Sequence, residues 1–399
     1  MTQTTQKIPY GWIKTKLGKI CKNKGQYGAN APSVPYSPNL PSYIRITDID
    51  DDGKYIFSNR VSVNISDYKN YLLEKGDIVF ARTGATTGKT YLYNENDGQF
   101  VFAGFLIKFS PNTNLINPYY LKLSTEIPFY KSWIKVMSVR SGQPGVNAEE
   151  YAKYPLLLPP LAEQEKIAEI LGTWDSAIEK LTALIATKRL QKKGLMQKLL
   201  TAQIRLPGFT DEWQKVKLGD FLKFQTGFPF DSQFFNQASD GIRLVKNRDL
   251  KSDDQVYFYS GKYANTNIVK NGDILVGMDG DFLPCLWKKG IALLNQRVGK
   301  IVCKKTLNHT FAYYILFSPL EKIQNETAST TVKHLSHSGV EKTSVTIPTD
   351  ISEQKAIADI LSKADEEIDL LTRKLDLLQS QKKGLMQQLL TGKIRVKVA

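Results

Sequence analysis

The chain repeats itself, and the repeat is the strongest constraint on its fold. LAEQEKIAEIL (Leu161 to Leu171) returns as ISEQKAIADIL (Ile351 to Leu361), and QKKGLMQKLLTAQIRL (Gln191 to Leu206) returns as QKKGLMQQLLTGKIRV (Gln381 to Val396). The two segments align without a gap between these landmarks, with about half the positions identical. Both read as long helices. Ile357, Leu361, Ala364, Ile368, Leu371, Leu375 and Leu378 alternate steps of four and three, and Ile167, Leu171, Trp174, Ile178, Leu181 and Ile185 do the same in the first copy. That heptad spacing keeps one apolar stripe turned toward a partner helix. Pro159-Pro160 and Pro348 stand where the helices begin, a position that tolerates proline. About 40 residues at ~1.5 Å each make a helix of roughly 60 Å. It must pack on a comparable helix, and the chain supplies one.

The segments before each helix match more weakly. WIKTKLGKI (Trp12 to Ile20) parallels WQKVKLGDF (Trp213 to Phe221), and GDIVFA (Gly76 to Ala81) parallels GDILVG (Gly272 to Gly277). IRITDI (Ile44 to Ile49) resembles IRLVKNRDL (Ile242 to Leu250) with a short insertion. Short β-branched or aromatic runs between Gly, Asn and Asp read as strands and turns. The expected order is therefore domain 1–155, helix 156–205, domain 206–346, helix 347–399, a fold of the α+β class. Antiparallel packing of the helices as an intramolecular coiled coil would relate the domains by a pseudo-two-fold axis. TGKIRV, followed by KIPYGWIKTKLG, would then recreate the mid-chain join TAQIRLPGFTDEWQKVKLG and make the chain quasi-circular.

The duplication also tests the tempting motifs. GATTGKT (Gly84 to Thr90) is one residue short of a Walker A loop, with Thr83 where the first glycine belongs; the second copy, GDILVGMDGDFLPCLWKKG, has no Gly-Lys-Ser/Thr. YLYN follows and alternates like a strand, whereas a phosphate loop opens a helix. A glycine-rich connection between two strands is the better reading. NPYY (Asn117 to Tyr120) is near the Asn-Pro-Pro-aromatic motif of amino-methyltransferases but lacks the second proline; with NHTFAYYIL (Asn308 to Leu316) it reads as a short core helix. Pro32, Pro35, Pro38 and Pro41 have polyproline spacing, suited to a stiff surface loop. No catalytic triad, carboxylate pair or metal-ligand spacing is present, and His309, His334 and His337 fit no familiar metal site with Cys21, Cys285 and Cys303. No cofactor is expected.

A formal charge of +15 with pI near 9.4 calls for a polyanion: DNA, RNA or an anionic membrane surface. No apolar run approaches the ~20 residues of a membrane span, the N-terminus lacks the apolar core of a signal peptide, and three scattered cysteines suit a reducing cytoplasm. Two domains on a rigid spacer can grip two half-sites of one duplex, as dimeric repressors do at ~34 Å per turn. GATTGKT against DGDFLPC, and SVRSGQPG against STTVKHLSH, offer different side chains, so the target should be split and asymmetric.

In EQEKIAEIL and EQKAIADIL, the doubled QKKGLMQ(K/Q)LLT(A/G), IRITDI and GDIVFARTGATTGK, essentially the whole chain resembles the specificity subunit of a type I restriction-modification system. The resemblance implies two target-recognition domains, each reading one part of a split double-stranded DNA target. It implies helices that act as a ruler and bind two methyltransferase subunits, with restriction subunits adding the ATP-driven nuclease. The specificity subunit itself would be non-catalytic. A stand-alone bipartite DNA-binding regulator and a nucleotide-binding enzyme are the alternatives.

Arginine suits guanine, Asn and Gln suit adenine, and lysine suits phosphate. The candidate DNA-binding residues are Arg45, Arg82, Thr83, Lys89, Arg140 and Gln143 in the first domain, and Arg243, Lys246, Asn247, Arg248, Lys333 and His334 in the second. Asp279, Asp281 and Pro284 replace the basic, Thr-rich loop there; the acidic side chains could accept from cytosine N4, or the loop could face away from DNA. Gly194, Leu195, Met196, Gly384, Leu385 and Met386 are the candidate subunit interface. Each glycine marks either a tolerated weak point or a close helix approach, and the Leu-Met pairs serve either the core or a docking stripe.

Overall fold

A computed structural model describes residues 8–140, 142–326 and 334–398. They form two compact units: one runs up to residue 182 and resumes at 374, the other covers 183–373.

In the first unit, one antiparallel sheet has the order Gln26–Tyr27, Leu106–Phe109, Ile78–Ala81, Thr90–Leu92. A second has the order Val34–Pro35, Val61–Ser62, Ser42–Ile44, Phe100–Phe102, its last pair parallel. Ile78 and Phe80 face a core of helical aromatics, Tyr120, Tyr130, Tyr151 and Tyr154. Val79 and Ala81 face the other way, against Ile44, Phe100 and Phe102 of the second sheet. A strand covered on both faces reads as an unbroken apolar run, which explains IVFA. A third, two-stranded ribbon pairs Ile13–Lys16 with Pro155–Leu158.

The second unit repeats this plan. Leu222–Thr226, Val298–Cys303, Ile274–Gly277 and Pro284–Leu286 form the first sheet. Phe235–Asn236, Tyr257–Tyr259, Ile242–Val245, Ala292–Leu294 and Ile268–Val269 form the second, again with one parallel pair, Ile242–Val245 on Ala292–Leu294. Gln214–Lys217 pairs with Ser344–Ile347. Close packing explains one matched glycine. A Cβ on Gly28 would lie 2.3 Å from the Ala103 and Phe102 carbonyl oxygens, and one on Gly227 2.0 Å from that of Asn295.

Register corrects one sequence match. Ser42–Ile44 pairs in parallel with Phe100–Phe102, and Arg243, Leu244 and Val245 with Ala292, Leu293 and Leu294. Ile44 thus corresponds to Val245 and Arg45 to Lys246. The backbone N–H of Arg45 donates to Asp48 at 2.9 Å and that of Lys246 to Asp249 at 2.7 Å. The Ile-Arg letters shared by the two runs are offset by three residues in space, because non-local strand pairing, not local letters, sets the register.

The long helices span Leu161–Leu200 and Ile351–Leu390. Ile167, Leu171, Leu181 and Ile185 of the heptad seam are buried, as are Ile357 and Leu361, and the remaining seam positions are half-buried. Each helix start is fastened to its own unit by the Glu-Gln pair. In the first unit, buried Glu163 accepts from Trp12 Nε1 at 3.0 Å and from Arg395 at 2.6 and 2.8 Å. Buried Gln164 donates to the Pro159 and Leu115 carbonyls and accepts from the Asn117 N–H. In the second, Glu353 takes Trp213 and Arg205, and Gln354 takes Pro348, Thr306 and Asn308. Lys382 meets Asp175 at 2.6 Å in the first unit and Lys192 meets Asp365 at 2.5 Å in the second. Within each unit, residues later in one helix pair with residues earlier in the other, an antiparallel sense. Arg395 also donates to the Tyr10 carbonyl at 2.9 Å, so segments from opposite ends of the chain meet inside the first unit.

Asn117 and Asn308 each cap a short helix, Pro118–Ser124 and His309–Ile315, through their side-chain oxygens. NPYY is therefore a cap and a core turn. Tyr119 donates to Asp175 and Tyr314 to Asp365 at 2.7 Å; the tyrosine pairs sit at different turns of the two helices yet reach matched aspartates. Burial, then the neighbouring aspartate, pushes the Tyr119 phenol well above its usual pKa.

Candidate nucleic-acid interface

GDIVFARTGATTGKT becomes strand Ile78–Ala81, a loop, and strand Thr90–Leu92 paired back on the first. No helix opens at Lys89, so the phosphate-loop geometry is absent. Gly84, at φ +74, turns the chain out of the strand, and Gly280, at φ +79, does so in the second unit. The second loop thus keeps the one glycine the turn needs.

Around the first turn three chain segments converge. The Arg82 N–H donates to the Phe105 carbonyl at 3.0 Å, Val146 donates back to Arg82 at 2.9 Å, and the Gly84 N–H donates to Pro144 at 3.0 Å. Thr83 and Gly145 bridge. The Arg82 guanidinium lies 4.9 Å over the Tyr27 ring. Phe105 is 59% exposed. The Gln143 amide lies beside Gly84, 3.0 Å from where a Cβ would stand. Arg82, Thr83 and Gln143 are therefore brought together, and Tyr27 and Phe105 join them. Neither aromatic stood out in the sequence, since each is one of many and only tertiary exposure distinguishes it.

The second unit builds the same turn from other chemistry. The Met278 N–H donates to the Arg297 carbonyl at 3.1 Å, Leu335 donates to Met278 at 2.8 Å, and Asp279 bridges His334. Asp279 Oδ1 accepts from His334 Nδ1 at 2.9 Å, and Arg297 lies 3.5 Å from it. Asn247 donates to the Asp279 carbonyl at 2.6 Å, fixing the loop from below. His334 and Asn247 thus join the turn, and Arg297 was missed. Lys333 lies outside the described residues. Asp281 pairs with Lys251, and Pro284 is buried at the start of a strand, so Asp279 is the acidic-loop residue that meets this cluster.

Several candidates have structural work instead. Arg45 grips fully buried Asp48 through Nε and Nη2 at 2.9 and 2.8 Å. Arg140 Nη2 donates to both Glu150 carboxylate oxygens at 2.6 and 2.7 Å, and its Nη1 donates to the Met137 and Val139 carbonyls. Arg243 is held by Asp253 and stacks 5.1 Å over Trp287, its side chain mostly covered. All three are engaged in ion pairs within the chain. Lys246 is boxed by the Tyr257 and Phe235 rings at 3.4 and 4.8 Å, where burial and the Arg248 charge lower its pKa. Arg248 is exposed and meets Gln255 at 2.7 Å. Lys89 reaches the exposed carboxylate of Asp51 at 2.7 Å, a pair that solvent or phosphate can exchange.

The interface candidates divide as well. Met386 is buried with Leu389 and Leu390 in the core of the first unit, and Leu385 packs on that core. Met196 packs on the core of the second, whereas Leu195 is 39% exposed. Met386 is thus corrected to a core residue. A Cβ on Gly194 or Gly384 would meet nothing within 4 Å, so no close approach within this chain requires either glycine.

Among the described residues, no helix is long and apolar enough to cross a membrane and no His/Cys/Asp/Glu group is placed to hold a metal. What the fold presents is a duplicated module with a constant frame and variable turns, the organisation of a two-site recognition protein. The type I restriction modification DNA specificity domain model matches residues 9–187 and again 210–380. The chain belongs to that family, and is a specificity subunit of a type I restriction-modification system with two recognition domains. It is 25% identical over 418 residues to the type I restriction enzyme MjaVIII specificity subunit of Methanocaldococcus jannaschii, covering 98% of this chain and 95% of the relative. It is 34% identical over 185 residues to the EcoBI specificity subunit of Escherichia coli, covering 46% and 39%. The fold matches the type I restriction-modification S subunit from M. genitalium with TM-score 0.61 at 14% identity, over 98% of both chains. It also matches a chain from a structure of type I complex assembly and conformational transition, with TM-score 0.54 at 16% identity, over 97% of this chain and all of the other.

Proposed function

We propose that this chain reads a bipartite, asymmetric double-stranded DNA target, one half-site with each recognition domain, and performs no chemistry itself. The observation that carries the reading is the pair of turns at Gly84 and Gly280. They share two backbone hydrogen bonds, a bridge and a left-handed glycine, while the residues at matched positions are Thr83, Phe105 and Gly145 in one and Asp279, Arg297 and His334 in the other. A constant frame with variable tips suits two different half-sites. The formal charge of +15 suits DNA.

The domains take residues 1–155 and 206–346, with spacer helices at 156–205 and 347–399. The helices form an intramolecular antiparallel coiled coil that sets the spacing. The matched ion pairs at Asp175 and Asp365 and the buried seam support this, as the Arg395–Tyr10 contact supports a quasi-circular chain. Two methyltransferase subunits dock on the helices near Gly194, Leu195 and Gly384, restriction subunits complete the complex, and the setting is the cytoplasm. In the first domain Arg82, Thr83 and Gln143 face bases and Lys89 faces phosphate; in the second, Asn247, Arg248 and His334 line the DNA side.

The test is a map of methylated adenines in the host genome with and without this gene. A split motif that vanishes with the gene is expected; an unchanged map refutes the reading. Saturable binding of ATP or S-adenosylmethionine by the purified chain alone would contradict the non-enzymatic role.

A further inference from the structure

We infer that Asp279 and Arg297 together read a single G·C base pair, Asp279 accepting from cytosine N4 and Arg297 donating to guanine O6 and N7. The inference rests on the DNA-reading role proposed above and assigns chemistry to the second domain's turn.

Three observations carry it. First, Asp279, Arg297 and His334 occupy the backbone positions held by Thr83, Phe105 and Gly145 in the first domain. The matching hydrogen bonds are Met278 to Arg297 and Arg82 to Phe105, and the matching bridges are Asp279–His334 and Thr83–Gly145. Positions whose chemistry changes while the frame stays constant are the ones free to encode a target. Second, Asp279 is a held acceptor. Asn247 fixes its carbonyl, and His334 and Arg297 hold Oδ1, while among the described residues Oδ2 has no partner. Third, Arg297 is 55% exposed at its side chain, within 3.5 Å of the same carboxylate. The strand joins on either side of the turn anchor it, with Met278 and Val298 both buried.

The major-groove edge of a G·C pair sets the cytosine N4 donor beside the guanine O6 and N7 acceptors. An adjacent carboxylate and guanidinium match that order of donor and acceptors. An A·T pair offers no adjacent acceptor pair for the arginine fork and adds a methyl group. His334 is a positioning residue that holds Asp279 Oδ1 at 2.9 Å and leaves Oδ2 for the base.

The experiment uses the complex of this chain with its methyltransferase subunits and duplexes carrying the methylation motif found in the host. Each base pair of both half-sites is replaced in turn, and competition binding is measured for the unaltered complex, Asp279→Asn, Arg297→Lys and Arg297→Ala. The expected result is one G·C pair, in one half-site, whose replacement by A·T weakens binding roughly ten- to a hundredfold. Asp279→Asn and Arg297→Ala should lose that discrimination at that same pair and keep it at every pair of the other half-site, which also shows that they fold, while Arg297→Lys, still able to donate to guanine O6 and N7, should keep part of it. Wild-type selectivity in Arg297→Ala would overturn the proposal. So would loss of discrimination at different pairs for the two residues, at an A·T pair, or at both half-sites together. Failure of the underlying reading looks different, since the unaltered complex would then select no split motif.

Discussion

Consider the fastening of the second long helix. Glu353 is 1% exposed at its side chain and accepts three hydrogen bonds, from Arg205 Nε at 2.7 Å, Arg205 Nη2 at 3.0 Å and Trp213 Nε1 at 3.2 Å. Arg205 is 27% exposed. Glu353→Ala removes the carboxylate and leaves an arginine that water can partly rescue, so the cost should fall at the lower end for a broken buried pair, about 3 kcal/mol. Arg205→Ala leaves a carboxylate with one indole donor and no access to water, and should cost about 4 kcal/mol. The double variant has neither stranded group. Its cost should fall short of the sum by about 2 kcal/mol. Urea unfolding of the full chain, followed by tryptophan fluorescence, measures this: with a slope of ~3 kcal/mol/M each single variant lowers the transition of the second unit by about 1 M. Additive costs, with coupling below ~0.5 kcal/mol, would refute the reasoning and reduce the Glu of the Glu-Gln motif to an isolated surface-like ion pair.

Other consequences can be measured directly. Gly194→Ala should stabilise the isolated chain by about 1 kcal/mol in the same titration, since the new Cβ meets open space and alanine is the better helix former; Gly194→Leu should nevertheless reduce co-purification of methyltransferase subunits. Gly227→Ala should destabilise the second unit by at least about 2 kcal/mol, seen as a lower melting transition, because its Cβ would press on the Asn295 carbonyl. Burial, and then the Asp77 charge, pushes the Cys21 thiol up to about 12, and burial pushes Cys303 to about 11. Both should therefore resist iodoacetamide at pH 8 until the chain unfolds. Because these folded values exceed the ordinary 9.0, the associated stability is complete below pH 9. It is lost as pH rises from there toward 12, which a series of melting curves would show.

Much of the architecture was legible in the letters because its signals are local. Heptad spacing marked the helices, β-branched runs marked strands such as Ile78–Ala81 and Ile274–Gly277, and duplication exposed the false phosphate loop. The turns at Gly84 and Gly280 were only half legible. Picked by residue type, Arg82, Thr83 and Gln143 come together in the first unit and Asn247 and His334 in the second, while Arg45, Arg140 and Arg243, picked the same way, pair with Asp48, Glu150 and Asp253. An arginine's partner cannot be read from its own letter. Neighbouring letters of one motif also part company, with Met386 in a core and Gly384 beside open space.

What the sequence by itself determined is therefore the duplication, read from repeated letters, and the two helices and the strand–turn–strand units, set by periodicities of a few residues. The tertiary structure alone decided that Lys246 is the counterpart of Arg45, that Trp213 and Arg205 converge on Glu353, and that Arg297 reaches Asp279. Those relations depend on strand register and chain crossings between residues tens to hundreds of positions apart. Packing chooses them by burying apolar faces and pairing the charges left among them.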